Sequence, residues 1–240
     1  MRTCGIHLSA AFIALIALIL IVAGIQEAED QNRMLAHTRQ LKEQLKVRRE
    51  EAETEMLQTE DIGPQCAGFL LFESGLIEEP VMQCSDNSYY LSHHYDGSEG
   101  IAGALFLDAA CQKDDDLRII YGHTVFSDQT LMFSPLHQLL DPVRAHENRY
   151  FVFQEKENTG RYEIINVFVY DEYQTDLIEN APFVFESDET KNAFLQKINA
   201  YSVYRNPNDG NNEGKLLILQ TCLKEEGGER IGVLAVSQPH

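Results

Sequence analysis

From residue 66 onward the chain is cut into short runs rich in apolar, β-branched and aromatic residues. These are residues 67–72, 80–83, 89–92, 101–107, 117–121, 150–154, 162–170, 216–221 and 231–236, each bounded by turn-forming residues. Runs of this length and composition are strands, and many of them at this spacing build a closed barrel or a sandwich. A helix interrupts the series. Residues 188–204 carry Phe194, Ile198 and Tyr201 at i, i+4 and i+7, behind an acidic first turn, which predicts an amphipathic helix just before the last two strands.

The N-terminal part has a different texture. Residues 8–25 are apolar and free of charge, long enough for a bilayer span, with Arg2 before them and Glu27, Glu29 and Asp30 after. The positive-inside rule then puts residues 1–7 in the cytoplasm and the bulk of the chain outside, and a poor cleavage site at Ala23-Gly24-Ile25 favours an uncleaved anchor. Residues 26–63 form a helical stalk: Met34, Leu41, Leu45, Ala52 and Met56 make one apolar stripe, able to rest on the following domain or to self-associate, and Gly63-Pro64 ends it. Residues 64–240 are long enough to bury a sizeable core as one domain.

The chemistry concentrates in residues 215–230, KLLILQTCLKEEGGER. An apolar strand ends in Cys222, residues 223–229 form a loop punctuated by Gly227 and Gly228, and Arg230 opens the final strand. If the two strands pair as a hairpin, Cys222 and Arg230 are close neighbours across the ladder. Residues 117–123, LRIIYGH, bring His123 to the end of another strand. A nucleophilic thiol requires a pKa drawn down from about 8.5 and a proton donor for the leaving group. A cation and an imidazole supply these, and an arginine holds a developing oxyanion. By itself, a lone cysteine on an apolar strand is more often packing than catalyst.

The motifs YGH (121–123), LQTC (219–222) and Arg230 together resemble the catalytic signature of sortases, the cysteine transpeptidases of Gram-positive cell surfaces. Residues 85–97 (SDNSYYLSHHYDG) and 103–111 (GALFLDAAC) extend the resemblance to class B sortases over roughly residues 64–236. It implies a mainly β fold: a sortase-type closed β-barrel with N-terminal helices and a helix inserted before the catalytic-cysteine strand. It also implies Cys222 as nucleophile, His123 as general acid/base and Arg230 as oxyanion or substrate stabiliser. Thr221, just before the thiol, either helps position substrate or simply packs. The implied substrates are secreted proteins bearing an LPXTG-like or NPXTN-like C-terminal signal. The implied acceptor is a peptidoglycan precursor amine, on lipid II or a cross-bridge. The implied place is the cell membrane, anchored through residues 8–25 with the catalytic domain extracellular. Two positions depart from the family pattern: Thr124 follows the histidine in place of Asn, and Ile218 stands where Thr is frequent. Both touch specificity more than chemistry. A pilin-polymerising sortase, a thiol hydrolase and a non-catalytic peptide-binding module on the same scaffold are the alternatives.

Charge and cofactor motifs narrow the rest. Residues 61–240 hold 12 Lys and Arg against 29 Asp and Glu, a surface without the basic footprint that nucleic acid requires. No cofactor motif is visible. His93-His94 beside Asp96 lacks the ligand spacing of a metal site, and Asp114 to Asp116 read as a solvated acidic turn. The pairing of Cys66, Cys84 and Cys111 stays open.

Overall fold

The computed structural model describes residues 10–51, 59–156, 158–207 and 213–239. Strands β1 (Cys66–Phe72), β2 (Glu78–Met82), β3 (Leu105–Leu107), β4 (Leu117–Tyr121), β5 (Tyr150–Gln154), β6 (Thr159–Asp171), β7 (Ser202–Arg205), β8 (Leu216–Cys222) and β9 (Glu229–Ser237) form one sheet in the order 5-1-2-3-4-8-9-6-7. An additional β5–β6 pairing closes eight of these strands into a barrel. The 13-residue β6 makes closure possible. One of its edges pairs with β9, while the other pairs with β5 along its first half and with β7 along its second. Two neighbouring pairs, β2–β3 and β4–β8, are parallel.

The unbroken apolar run of β8 has a packing explanation. Leu217 and Leu219 point into the barrel with Ile120, Phe133, Ile231 and Val233. Leu216 and Ile218 point the other way, against Leu117, Phe168 and the helix α4 (Asp188–Asn199), which contributes Phe194 and Ile198. Both faces of β8 are therefore buried, as in a central parallel strand. Helix α4 starts at a capping box between Ser187 and Thr190, with Asp188 and Glu189 in its first turn.

Three expectations about local structure are corrected. Helix α4 ends at Asn199, not at Tyr204, because Ser202–Arg205 leaves the helix to pair with β6, and Tyr201 is exposed rather than part of the apolar stripe. Residues 89–92 are not a strand but a 3-10 turn, Tyr89–Leu91: Asp86 Oδ1 accepts from the backbone N–H groups of Ser88 and Tyr89, both at 2.8 Å, and winds the chain. Of residues 101–107 only Leu105–Leu107 is strand. Gly103 adopts φ 59° there, and a Cβ on it would lie 2.2 Å from the Tyr90 carbonyl.

The N-terminal helix α1 (Ala10–Glu51) lies against the barrel through Leu35, Thr38, Leu41 and Leu45, all buried. Leu41 and Leu45 belong to the expected stripe; Met34 is exposed, and Ala52 and Met56 lie outside the described residues. Polar ties reinforce the contact. Lys42 Nζ reaches the buried Glu79 of β2 at 2.8 Å and the Thr130 carbonyl at 2.7 Å, and Arg39 Nε donates to Asp128 at 2.7 Å. Burial pushes the Glu79 carboxyl up, and the Lys42 ammonium draws it back. The first part of α1 exposes Ile13, Ile16, Leu18, Ile19, Leu20, Ile21, Val22 and Ile25. Among the described residues no helix is long and apolar enough to cross a membrane, and residues 1–9, including the first two of the expected span, lie outside them. A short helix α2 (Thr59–Ile62) precedes the barrel.

Candidate active site

Strands β4 and β8 run side by side in parallel, and their pairing ends with Tyr121 opposite Gln220, two residues before β8 itself stops. Beyond β4 come Gly122 and His123; at the end of β8 stand Thr221 and Cys222. Strand β9 returns antiparallel from the loop 223–228, which turns at Gly227 with φ 101°, and its register places Arg230 directly opposite Cys222. The Leu223 N–H donates to the Glu229 carbonyl at 2.9 Å and closes the base of the hairpin. Directly opposed residues project to the same face. His123, Cys222 and Arg230 consequently line one open cleft of about 340 Å³, walled by Leu91, Tyr121, Glu172 and Gln220. Thr221 also borders the cleft, although its side chain is buried.

Arg230 is held from several directions. Nη1 donates to the carbonyls of Gly227 and Glu229, each at 3.1 Å, and Nη2 pairs with Glu172, just beyond the end of β6. Three of its five donors are thereby engaged, which leaves Nε–H and one Nη2–H for a ligand. The guanidinium arrives oriented, a geometry suited to an oxyanion. His123 Nε2 lies 2.9 Å from the Leu91 carbonyl; a carbonyl only accepts, so Nε2 carries a proton. Tyr121 hydroxyl donates to Asp108 at 3.0 Å, and burial together with that carboxylate pushes its pKa up, so the cleft wall is an un-ionised phenol. The Gln220 side-chain oxygen is buried with no hydrogen-bond partner among the described residues.

Below the cleft, hydroxyls join the two strand ends reciprocally. Thr221 Oγ1 donates to the Gly122 carbonyl at 2.8 Å, and Thr124 Oγ1 donates to the Cys222 carbonyl at 2.7 Å. The two hydroxyls are themselves 2.8 Å apart, and His137 Nε2 lies 3.0 Å from the same Cys222 carbonyl. Gly122 has no room for a side chain: a Cβ there would lie 2.3 Å from Leu105 Cδ2 and 2.8 Å from Phe133 Cδ2.

The other polar residues singled out in the sequence have local partners. His93 and His94 turn their Nδ1 atoms to the carbonyls of Tyr89 and Gly103, at 2.9 and 3.0 Å. Asp115 and Asp116 accept from the backbone N–H groups of Gln112 and Phe185. Cys66, Cys84, Cys111 and Cys222 are thiols, none joined in a disulfide. Cys111 is buried, and burial pushes its thiol up to about 12. Glu172, His137 and Gln220 were not anticipated. Glu172 follows its strand in an acidic stretch, and His137 sits in an apolar turn, so neither carries a local signal.

No family model matches the chain. It is 27% identical to the sortase B of Listeria monocytogenes over 184 residues, covering 75% of this chain and 72% of that protein. Among solved structures it is similar to Staphylococcus aureus sortase B, with a TM-score of 0.71 and 20% identity over 85% of this chain and 98% of that one. It is also similar to Clostridium perfringens sortase B, with a TM-score of 0.68 and 23% identity over 75% and 98% of the two chains. A third similar structure is a Staphylococcus aureus sortase B–substrate complex, with a TM-score of 0.71 and 20% identity over 88% and 97% of the chains.

Proposed function

We propose, for a chain that is a class B sortase in sequence kinship and in fold and hence a cysteine transpeptidase, that it cleaves a C-terminal sorting signal after Thr and joins the carboxyl product to a peptidoglycan amine. The observation that carries this reading is the meeting of Cys222, His123 and Arg230 in one cleft, from three strand ends.

In this reading the Cys222 thiolate attacks the Thr carbonyl of an LPXTG-like or NPXTN-like signal. The carbonyl oxygen takes up the negative charge and is held by the two free donors of Arg230. Collapse of the tetrahedral centre breaks the C–N bond, the departing amine takes a proton from His123, and a thioester remains. An incoming amine on lipid II or a cross-bridge then attacks the thioester, gives its proton to His123 and expels the thiolate. With Nε2–H held by the Leu91 carbonyl, which itself lines the cleft, the ring exchanges the proton through Nδ1 or after letting that carbonyl go.

The test mixes the full chain in detergent with quenched sorting-signal peptides, with and without oligoglycine or diaminopimelate-type amines, and resolves the products by mass. The expected result is cleavage after Thr and an amine-linked product. Cleavage that added amine does not divert identifies a thiol hydrolase, exclusive use of a protein lysine identifies a pilin polymerase, and binding without cleavage removes the enzymatic reading.

Residues 8–25 serve in this reading as the anchor, with residues 1–7 cytoplasmic and residues 64–240 outside. The exposed apolar side chains of α1 support it, since they point all round the helix, and an apolar surface of that size is unfavourable in water and would be covered by lipid. In a Gram-positive host the chain is expected to sediment with membranes and to require detergent for release. Release by salt alone would remove the anchor.

A further inference from the structure

We propose that His137, outside the cleft, is a positioning residue for the thiol chemistry, its Nε2–H holding the Cys222 carbonyl and completing a lock between the nucleophile strand and the histidine strand. The proposal rests on the reading of Cys222 as nucleophile.

The physical problem is that both reactive residues stand where their strands stop. Cys222 is the last residue of β8 and is paired only with β9, through Arg230, while His123 lies two residues past β4, so the β4–β8 ladder, which ends at Tyr121 and Gln220, holds neither backbone to the other. A second device does. The 3-10 turn Ser134–Leu140 and the residue before it reach both of them: the Phe133 N–H donates to the His123 carbonyl at 3.0 Å, and His137 Nε2 meets the Cys222 carbonyl at 3.0 Å. The turn is itself anchored, because Leu136 and Leu139 are fully buried in the barrel core. The His137 ring rests edge-on against Phe126, with centroids 6.0 Å apart.

The proton inventory is determined. Two carbonyls, Gly122 and Cys222, only accept. Thr221 serves the first at 2.8 Å and Thr124 the second at 2.7 Å; His137 Nε2 lies 3.0 Å from that second carbonyl and 3.1 Å from Thr124 Oγ1, whose hydrogen is already given, so both neighbours accept and Nε2 carries the hydrogen. On the other side of the same peptide unit, the Leu223 N–H is bound to the Glu229 carbonyl. With its peptide held from both sides, the Cys222 backbone is fixed, and its side chain keeps only the rotation about χ1 within the cleft it shares with His123 and Arg230. Displacements of about 1 Å at a reacting centre cost up to about a hundredfold in rate. A histidine that merely satisfied a buried carbonyl would support folding and leave the rate per folded molecule unchanged.

The experiment compares His137→Phe, which keeps a ring without the donor, with His137→Gln, which returns an N–H. Each is read in the full chain by peptide turnover and by the rate at which iodoacetamide alkylates Cys222, followed by mass. Iodoacetamide needs no sorting signal, so this arm reads the lock even if the parent turns over no peptide. His137→Phe is expected to slow alkylation several-fold and to lower kcat about tenfold or more with KM within about twofold, and His137→Gln to recover most of both. Thr124→Val, which removes the other donor to that carbonyl, should act in the same direction, and combined with His137→Phe should cost less than the two losses multiplied. If His137→Phe does not fold, Thr124→Val and His137→Gln carry the same comparison. Parental alkylation in Thr124→Val and His137→Phe, or a His137→Gln protein no faster than His137→Phe, overturns the proposal.

Discussion

Cys222→Ala is expected to abolish thioester formation and to lower turnover by about 10⁴-fold or more, the scale seen when a covalent nucleophile is removed from a catalytic unit. No other thiol among the described residues can substitute. Cys222 alone of Cys66, Cys84, Cys111 and Cys222 borders the cleft, and Cys111 is buried with its thiol pushed up to about 12. The substitution removes a half-buried sulfur at a strand end and leaves the peptide ties on either side intact, so the fold should survive. Mass analysis after incubation with a cleavable peptide is the check: the parent gains the acyl group and the variant does not. Peptide binding should persist. Appreciable residual turnover would mean that another group is the nucleophile.

Arg230→Lys, though it keeps the charge, is expected to lower kcat/KM by about 10²- to 10³-fold, the cost of one lost oxyanion donor. A guanidinium is a planar fork with five donors, three of which are spent here on Gly227, Glu229 and Glu172, leaving two for a ligand. An ammonium on a flexible stem has three donors, and the same partners would capture it. Glu172 in particular would draw it away from the cleft. Single-turnover acylation separates this from an effect on acceptor binding, because the thioester forms before the amine arrives. Near-parental acylation would reduce Arg230 to an ion partner of Glu172 with a structural task.

These two expectations rest on a part of the site that the sequence displays openly. The run 216–221, the Gly227-Gly228 turn and the run 231–236 specify a hairpin, and in an antiparallel pair with a short loop the register follows from the turn. Cys222 and Arg230 therefore meet across β8 and β9, with a loop one residue shorter than the sequence suggested because Glu229 joins β9. Where the reading failed, a local contact outweighed composition. The Asp86 side chain winds Tyr89–Leu91 into a 3-10 turn despite its two tyrosines, and β6 draws Ser202–Arg205 into the sheet although the preceding helical pattern continues into it.

By itself, then, the sequence determined those features whose causes lie within a few residues: most of the strand runs, the α4 helix with its acidic first turn, the Cys–Arg hairpin, and the placement of His123 at a strand end. Tertiary structure alone decided which strand ends meet. The parallel pairing of β4 with β8 joins positions 99 residues apart, as in the Thr221–Gly122 hydrogen bond, and closure through β6 sets Glu172 against Arg230. It likewise decided that the turn carrying His137 lies beneath Cys222. Such contacts have no local signature, because a parallel neighbour is chosen by the burial of two faces and by closure of the whole barrel, not by the residues that end up touching.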